Sequence, residues 1–161
     1  MNGQSAQNVR PFASLAVGCR PQDAVLTERE THALAHVARQ EYEARRRRAR
    51  YIDPSLLGEP AWDILLDLFI SAAENRLVSV TSSAIAAQVP QTTALRYFAS
   101  LVAAGLIRRQ KSKTDARVTF LELTDEGRSR VGSYLQDRSE KLLERPAGSL
   151  TVREVSESRC A

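Results

Sequence analysis

Cysteine is almost missing from this 161-residue chain, with only Cys19 and Cys160 close to its two ends. They lack CxxC spacing, which leaves no basis for a disulfide framework or a zinc site. No apolar run approaches the roughly 20 residues that cross a bilayer. The first 24 residues also lack the basic and then apolar pattern of a secretory signal. These absences lead to the expectation of a cytoplasmic protein without a membrane partner. No nucleophile elbow, Gly-rich phosphate loop, metalloprotease motif or Cys/His pairing occurs, so an enzyme, a cofactor and a resident metal are not expected.

What is present is charge, and it is segregated. The formal net charge is +4 and the apolar fraction 43%, ordinary for one globular unit with appendages. Between Pro90 and Phe120, Arg96, Arg108, Arg109, Lys111, Lys113 and Arg117 stand against Asp115 alone, a local balance of +5. Between Arg39 and Arg50, six arginines face Glu41 and Glu43. Glu59, Asp63, Asp67 and Glu74 occupy a stretch with no base. A cationic patch of this kind invites an acidic partner.

Along the chain, residues 1–24 have the composition of a disordered N-terminal arm. Residues 25–52 read as a long basic helix, about Leu26 to Arg50, with a thin apolar stripe of Leu34, Val37, Ala38, Tyr42 and Ala49. A stripe that thin points to packing against a partner, as in a dimerisation helix. Pro54, Gly58 and Pro60 then break the chain, and Pro60 suits the first turn of the next helix. There Trp62, Leu65, Leu66, Phe69 and Ile70 recur at core spacing, while Asp63, Asp67 and Glu74 are expected to face away. "LVSVTSS" reads as a short strand and helix cap, and "SSAIAAQV" as a two-turn helix with Ile85 and Val89 on one side.

"PQTT" opens another helix, in which Leu95, Phe98, Leu101, Val102 and Leu106 are expected in the core and Gly105 at the C-terminus. Ile107 to Lys111 and Arg117 to Leu123 read as a hairpin around Ser112 to Ala116, whose lack of glycine favours a loose turn. Thr124 caps a final helix to about Leu143, and residues 146–161 read as a flexible tail.

Two helices joined by a short turn and followed by a hairpin form a winged helix-turn-helix. The expected fold is therefore mainly α with a small β-hairpin: a winged helix-turn-helix domain over 58–143 plus the long N-terminal dimerisation helix. B-form DNA admits a helix in its major groove, so base edges would be met by the exposed start of the second helix, over 91–104. Its candidates are Gln91, Thr92, Thr93, Arg96 and Tyr97. On the wing, 107–123, the candidates are Arg109, Lys111, Lys113, Asp115 and Arg117.

The stretch "VPQTTALRYFASLVAAGLIRRQKSKTDARVTFLELTDEG" resembles winged-helix regulators of the multiple-antibiotic-resistance (MarR) type. The matching pieces are the hydroxyl-rich helix start ending in Arg96, "LVAAGLI", "DAR" and "LELTDEG". The resemblance implies a homodimeric regulator that binds double-stranded DNA, with an unknown small-molecule effector as a further partner. It also implies that Arg117 enters the minor groove and that Asp115 orients it, by a charge-assisted hydrogen bond to the guanidinium.

Other readings exist for some of these residues. A winged helix can serve as a protein-interaction adaptor without binding DNA, although a +5 segment is not needed for that. Arg45 can pair with Glu41 at i, i+4, or the run Arg45 to Arg48 can meet phosphates. Glu28, His32 and His36 share one helix face, but no further ligand completes a metal site, so they read as surface or interface residues.

Overall fold

The computed structural model describes residues 26–53 and 56–144; the expected arm and tail lie outside the described residues. Five helices and three short strands follow in the order α1 (Glu28–Arg48), α2 (Pro60–Ala73), β1 (Val78–Ser79), α3 (Val80–Ala86), α4 (Gln91–Ala103), β2 (Ile107–Lys111), β3 (Thr119–Leu123) and α5 (Asp125–Glu144). The strands form one antiparallel sheet in the order β1-β3-β2. Ile107 lies opposite Leu123, and Arg109 opposite Leu121.

Local chemistry sets the helix ends. At α1 the Thr27 hydroxyl accepts from the Glu30 N–H (3.3 Å) while the Glu30 carboxylate accepts from the Thr27 N–H (2.8 Å), a reciprocal cap. The bond from the Thr27 backbone holds the Glu30 carboxyl below its usual range. At α2, Pro60 occupies the first turn, where its missing N–H has no helical partner.

Helix α2 is the central post. It contacts α1, α3, α4, α5 and β3, and Ile64, Leu66 and Phe69 are fully buried. Phe98 of α4 and Leu135 of α5 complete the same core from two other sides. Full burial of side chains of this size stabilises the fold by about 1.5–3 kcal/mol each.

One expectation changes here, and α1 finds part of its packing within the chain. Leu34 and Ala38 of α1 belong to this single core, so α1 packs onto its own chain, against α2 and α5. Asp63 and Asp67 do not face away: their carboxylates are largely covered and meet arginines. Arg45 donates from Nε to Asp63 (2.7 Å) and from Nη1 reaches Glu59 (2.9 Å). Arg39 pairs with Glu74 at the other end of α2 (2.7 Å), so α1 and α2 run antiparallel. Glu41, free of Arg45, pairs with Arg138 of α5 (2.8 Å). The segregated charges of the sequence are thus two faces of one helix contact.

Candidate nucleic-acid interface

Helices α3 and α4 are joined by Ala87 to Pro90, and Gln88 takes a left-handed backbone (φ 55°). The Gln88 N–H bonds the Ile85 carbonyl (3.0 Å), and Val89 reaches Ala84 (3.5 Å), which satisfies the last carbonyls of α3. The left-handed residue turns the chain between α3 and α4, and the first residues of α4, Gln91 and Thr92, are exposed.

On α4 the buried stripe is Ala94, Phe98 and Leu101, at i, i+4 and i+7. Helical phase then places Thr92, Arg96 and Ala99 on the opposite side, and all three are exposed. Gln91 is exposed as well, while Thr93 and Tyr97 are half-buried. Tyr97 packs against the core and so sits on the flank of the exposed face rather than in it. Leu95 and Val102, expected in the core, are about 40% exposed (41% and 40%). Each stands one residue, or about 100° of helix rotation, from the buried stripe. Leu95 and Ala99 therefore belong to the outward face, where sequence reading had not put them. Ile85 of α3 is likewise exposed, and Ser83, Ala84 and Ala87 take the inner side.

The wing is built without glycine. The Ser112 hydroxyl accepts from the N–H groups of Thr114 and Asp115 (3.2 Å each), and the Ser112 N–H bonds the Val118 carbonyl (2.9 Å). The Asp115 carboxylate accepts from the backbone N–H of Arg117 at 2.9 Å. It makes no ion pair with the Arg117 guanidinium among the described residues, which corrects the expected orienting bond. Asp115 is a turn former of the kind in which a carboxylate imitates a backbone carbonyl. Because its backbone is satisfied this way, Arg117 lies in the loop, and β3 starts two residues later than expected.

At the base of the wing, three elements lock together. Gly105 (φ 72°) ends α4, with bonds from the Gly105 N–H to the Val102 carbonyl (2.9 Å) and from Leu106 to Leu101 (3.0 Å). The Thr124 hydroxyl donates to the Gly105 carbonyl (2.6 Å) and accepts from the Gly127 N–H (3.0 Å), so one side chain joins α4, β3 and α5. A Cβ on Gly127 would fall 2.0 Å from the Leu106 carbonyl oxygen.

Electrostatics distinguish this face. Arg96, Arg109, Lys111, Lys113 and Arg117 are exposed and have no carboxylate partner among the described residues. Arg39, Arg45, Arg76, Arg108, Arg130, Arg138 and Lys141 are all paired, Arg108 with Glu122 directly across the sheet (2.9 Å). His32 and His36 are exposed on α1, and no group of three or more potential metal ligands occurs among the described residues. A cavity of about 300 Å³ lies between the start of α1, the end of α2 and β3, lined in part by His32, Arg76, Arg108 and Arg128. Arg128 Nε is buried there without a hydrogen-bond partner.

Helix-turn-helix, three-stranded sheet and cationic hairpin together make this a winged helix-turn-helix protein. No family model and no curated protein matches the chain. Among solved structures it is similar to the transcriptional regulator Tm0710 from Thermotoga maritima, at 20% identity over 73% of this chain and 75% of that one, with a TM-score of 0.46. It is also similar to the heme sensor protein PefR from Streptococcus agalactiae in complex with heme (20%, 66% and 74%, 0.43) and to NadR in complex with 4-hydroxyphenylacetate (24%, 68% and 72%, 0.43). At this identity and overlap, what the chain does has to be read from its own geometry.

Proposed function

We propose that the chain is a sequence-specific, double-stranded DNA-binding transcriptional regulator that acts in the cytoplasm as a homodimer. The observation that carries this is the coincidence of fold and free charge: the exposed start of α4 and the wing hold five cations with no carboxylate partner among the described residues, while Arg108 on the sheet's other face and Arg39, Arg45 and Arg76 around α2 are paired. In this reading α4 enters the major groove. Arg96 can meet a guanine edge with its guanidinium fork, Gln91 and Thr92 sit where flanking bases and phosphates run, and Leu95 and Ala99 offer apolar contact to thymine methyl groups. The wing follows the adjacent minor groove with Arg117 at its tip and Arg109, Lys111 and Lys113 along the backbone.

Selection of bound duplexes from a random pool, at two salt concentrations, tests this. A recovered sequence preference that Arg96→Ala relaxes, with affinity falling steeply with salt, is the expected result. Absence of duplex binding at low salt, or unchanged binding in both Arg96→Ala and Arg117→Ala, refutes it and leaves the adaptor reading. The cavity beside Arg128 supports a small anionic effector as a further partner. An anion that alters DNA affinity in the parent and not in Arg128→Met would establish that role.

A further inference from the structure

The arginine run of α1 divides into groups with different fates. Arg39 is engaged by Glu74, and Arg45 is buried between Glu59 and Asp63. Arg48 lies beside Glu41, Glu59, Trp62 and Tyr134, on the α5 side. Arg46, Arg47 and Arg50 are exposed and make no ion pair among the described residues, although Arg46 is close enough to Asp67 to act on its carboxyl.

Where Arg46 sits is fixed by contacts on the other flank of α1. Tyr42 donates its hydroxyl to the Ala86 carbonyl (2.8 Å), and Arg46 donates from Nη2 to the same oxygen (2.7 Å) while its guanidinium covers the Tyr42 ring at 4.6 Å. Ala86 is the last residue of α3, five positions before the start of the recognition helix at Gln91. Tyr42, Arg46 and Arg50 follow at i, i+4 and i+8, so they stack along the edge of α1 that meets the helix-turn-helix. Beyond Arg48 the winding continues, with bonds from the N–H groups of Arg50 to Arg47 (3.1 Å) and of Tyr51 to Arg48 (3.0 Å). Tyr51 follows Arg50 and is 85% exposed. An arginine run at a helix C-terminus would complement the helix dipole whichever way it pointed. This one is anchored against the unit that carries α4.

We infer that Arg46, Arg47 and Arg50, with Tyr51, form a second phosphate-binding surface for duplex DNA, next to the helix-turn-helix at the end of α3. The inference rests on the DNA-binding reading above and adds to it a sequence-independent grip. Arginine and tyrosine donors to phosphate set register and affinity, and leave base preference to α4.

The test is fluorescence anisotropy of the full chain on one preferred and one scrambled duplex across 50 to 200 mM salt. Arg47→Ala/Arg50→Ala removes two phosphate contacts from each protomer, four from a homodimer, so the slope of log affinity against log salt becomes shallower by about 3.6. Affinity falls by the same factor on both duplexes, and Arg48→Ala leaves the slope where it was. Both substituted positions are exposed, and an unchanged thermal melt verifies the fold. A slope equal to the parent's overturns the inference while leaving DNA binding intact. So does a loss confined to the preferred duplex, or a lost dimer in sedimentation at constant slope, which would assign the arginines to a protein contact. If the unmodified chain binds neither duplex, the DNA reading itself falls and this surface falls with it.

Discussion

Arg45→Met removes the charge that joins α1 to α2 while keeping most of the apolar stem. In the parent only 7% of the Arg45 side chain is exposed, and its two carboxylate contacts are short, 2.7 Å to Asp63 and 2.9 Å to Glu59. Breaking a fully buried ion pair costs about 3–5 kcal/mol because the remaining charge is stranded. Asp63 is 20% exposed and Glu59 60%, so water reaches both after the change and the penalty shrinks. A loss of about 2 kcal/mol is expected, which at an m of about 2 kcal/mol/M lowers the urea midpoint by about 1 M. Arg45→Lys, a single point charge without a fork, should recover less than half of it. Arg45→Met/Asp63→Leu should recover most, since only Glu59, 60% exposed and reached by water, is then left without its partner. Urea melts followed by helical circular dichroism, with the slope held constant, measure all three. If Arg45→Met melts within about 0.5 kcal/mol of the parent, or the double variant is as unstable as the single, the buried clamp is not what holds α1.

At the wing tip, Asp115→Asn keeps the oxygen that accepts the Arg117 N–H and removes only the charge, so duplex binding should tighten, whereas Asp115→Ala also loses the turn and should bind more weakly than Asp115→Asn in the same anisotropy assay. Gly127→Ala should destabilise by about 2 kcal/mol or more, because its Cβ meets a backbone carbonyl that no rotamer change can move; a thermal shift within 2 °C would contradict this. Burial raises the Asp67 carboxyl above its ordinary value near 3.8, despite Arg76 at 3.6 Å. A raised folded-state pKa in an acid means a cost present at high pH and relieved on acidification. Asp67→Asn should therefore melt higher than the parent at pH 7, with the gain vanishing below about pH 3.8; a gain constant from pH 3 to 7 would sink the assignment. Glu74 is lowered, chiefly by its bond from Arg39, so its contribution is lost as pH falls below its ordinary 4.5 and the parent's own profile is flatter than either group alone would make it.

Much of this architecture is legible in local chemistry. Pro60 in a first turn, Gly105 after α4 and Thr124 before α5 each mark an end by what their backbone or hydroxyl can do, and the structure puts every one at that end. What local reading misses is direction. Asp63 and Asp67 look like a solvated face until the partner helix is known, because their arginine and their cover come from other elements. Leu95 and Tyr97 exchange places through a rotation of less than half a helical turn, too fine for a stripe of mixed residues to fix. Asp115 two residues before Arg117 can reach either a guanidinium or a backbone N–H, and spacing cannot choose between them. The Ser112 bonds that close the loop decide it.

The Thr124 hydroxyl that holds the end of α4 to the foot of the wing makes a caliper of the molecule. Helix and hairpin cannot shift relative to each other without breaking that bond and the packing of Gly127 on Leu106. On the proposed binding mode, the distance between the α4 and wing contacts is therefore a property of the protein. Inserting one base pair between the two contacts, a step of about 3.4 Å, must be absorbed by the seven residues of the wing loop or by the DNA.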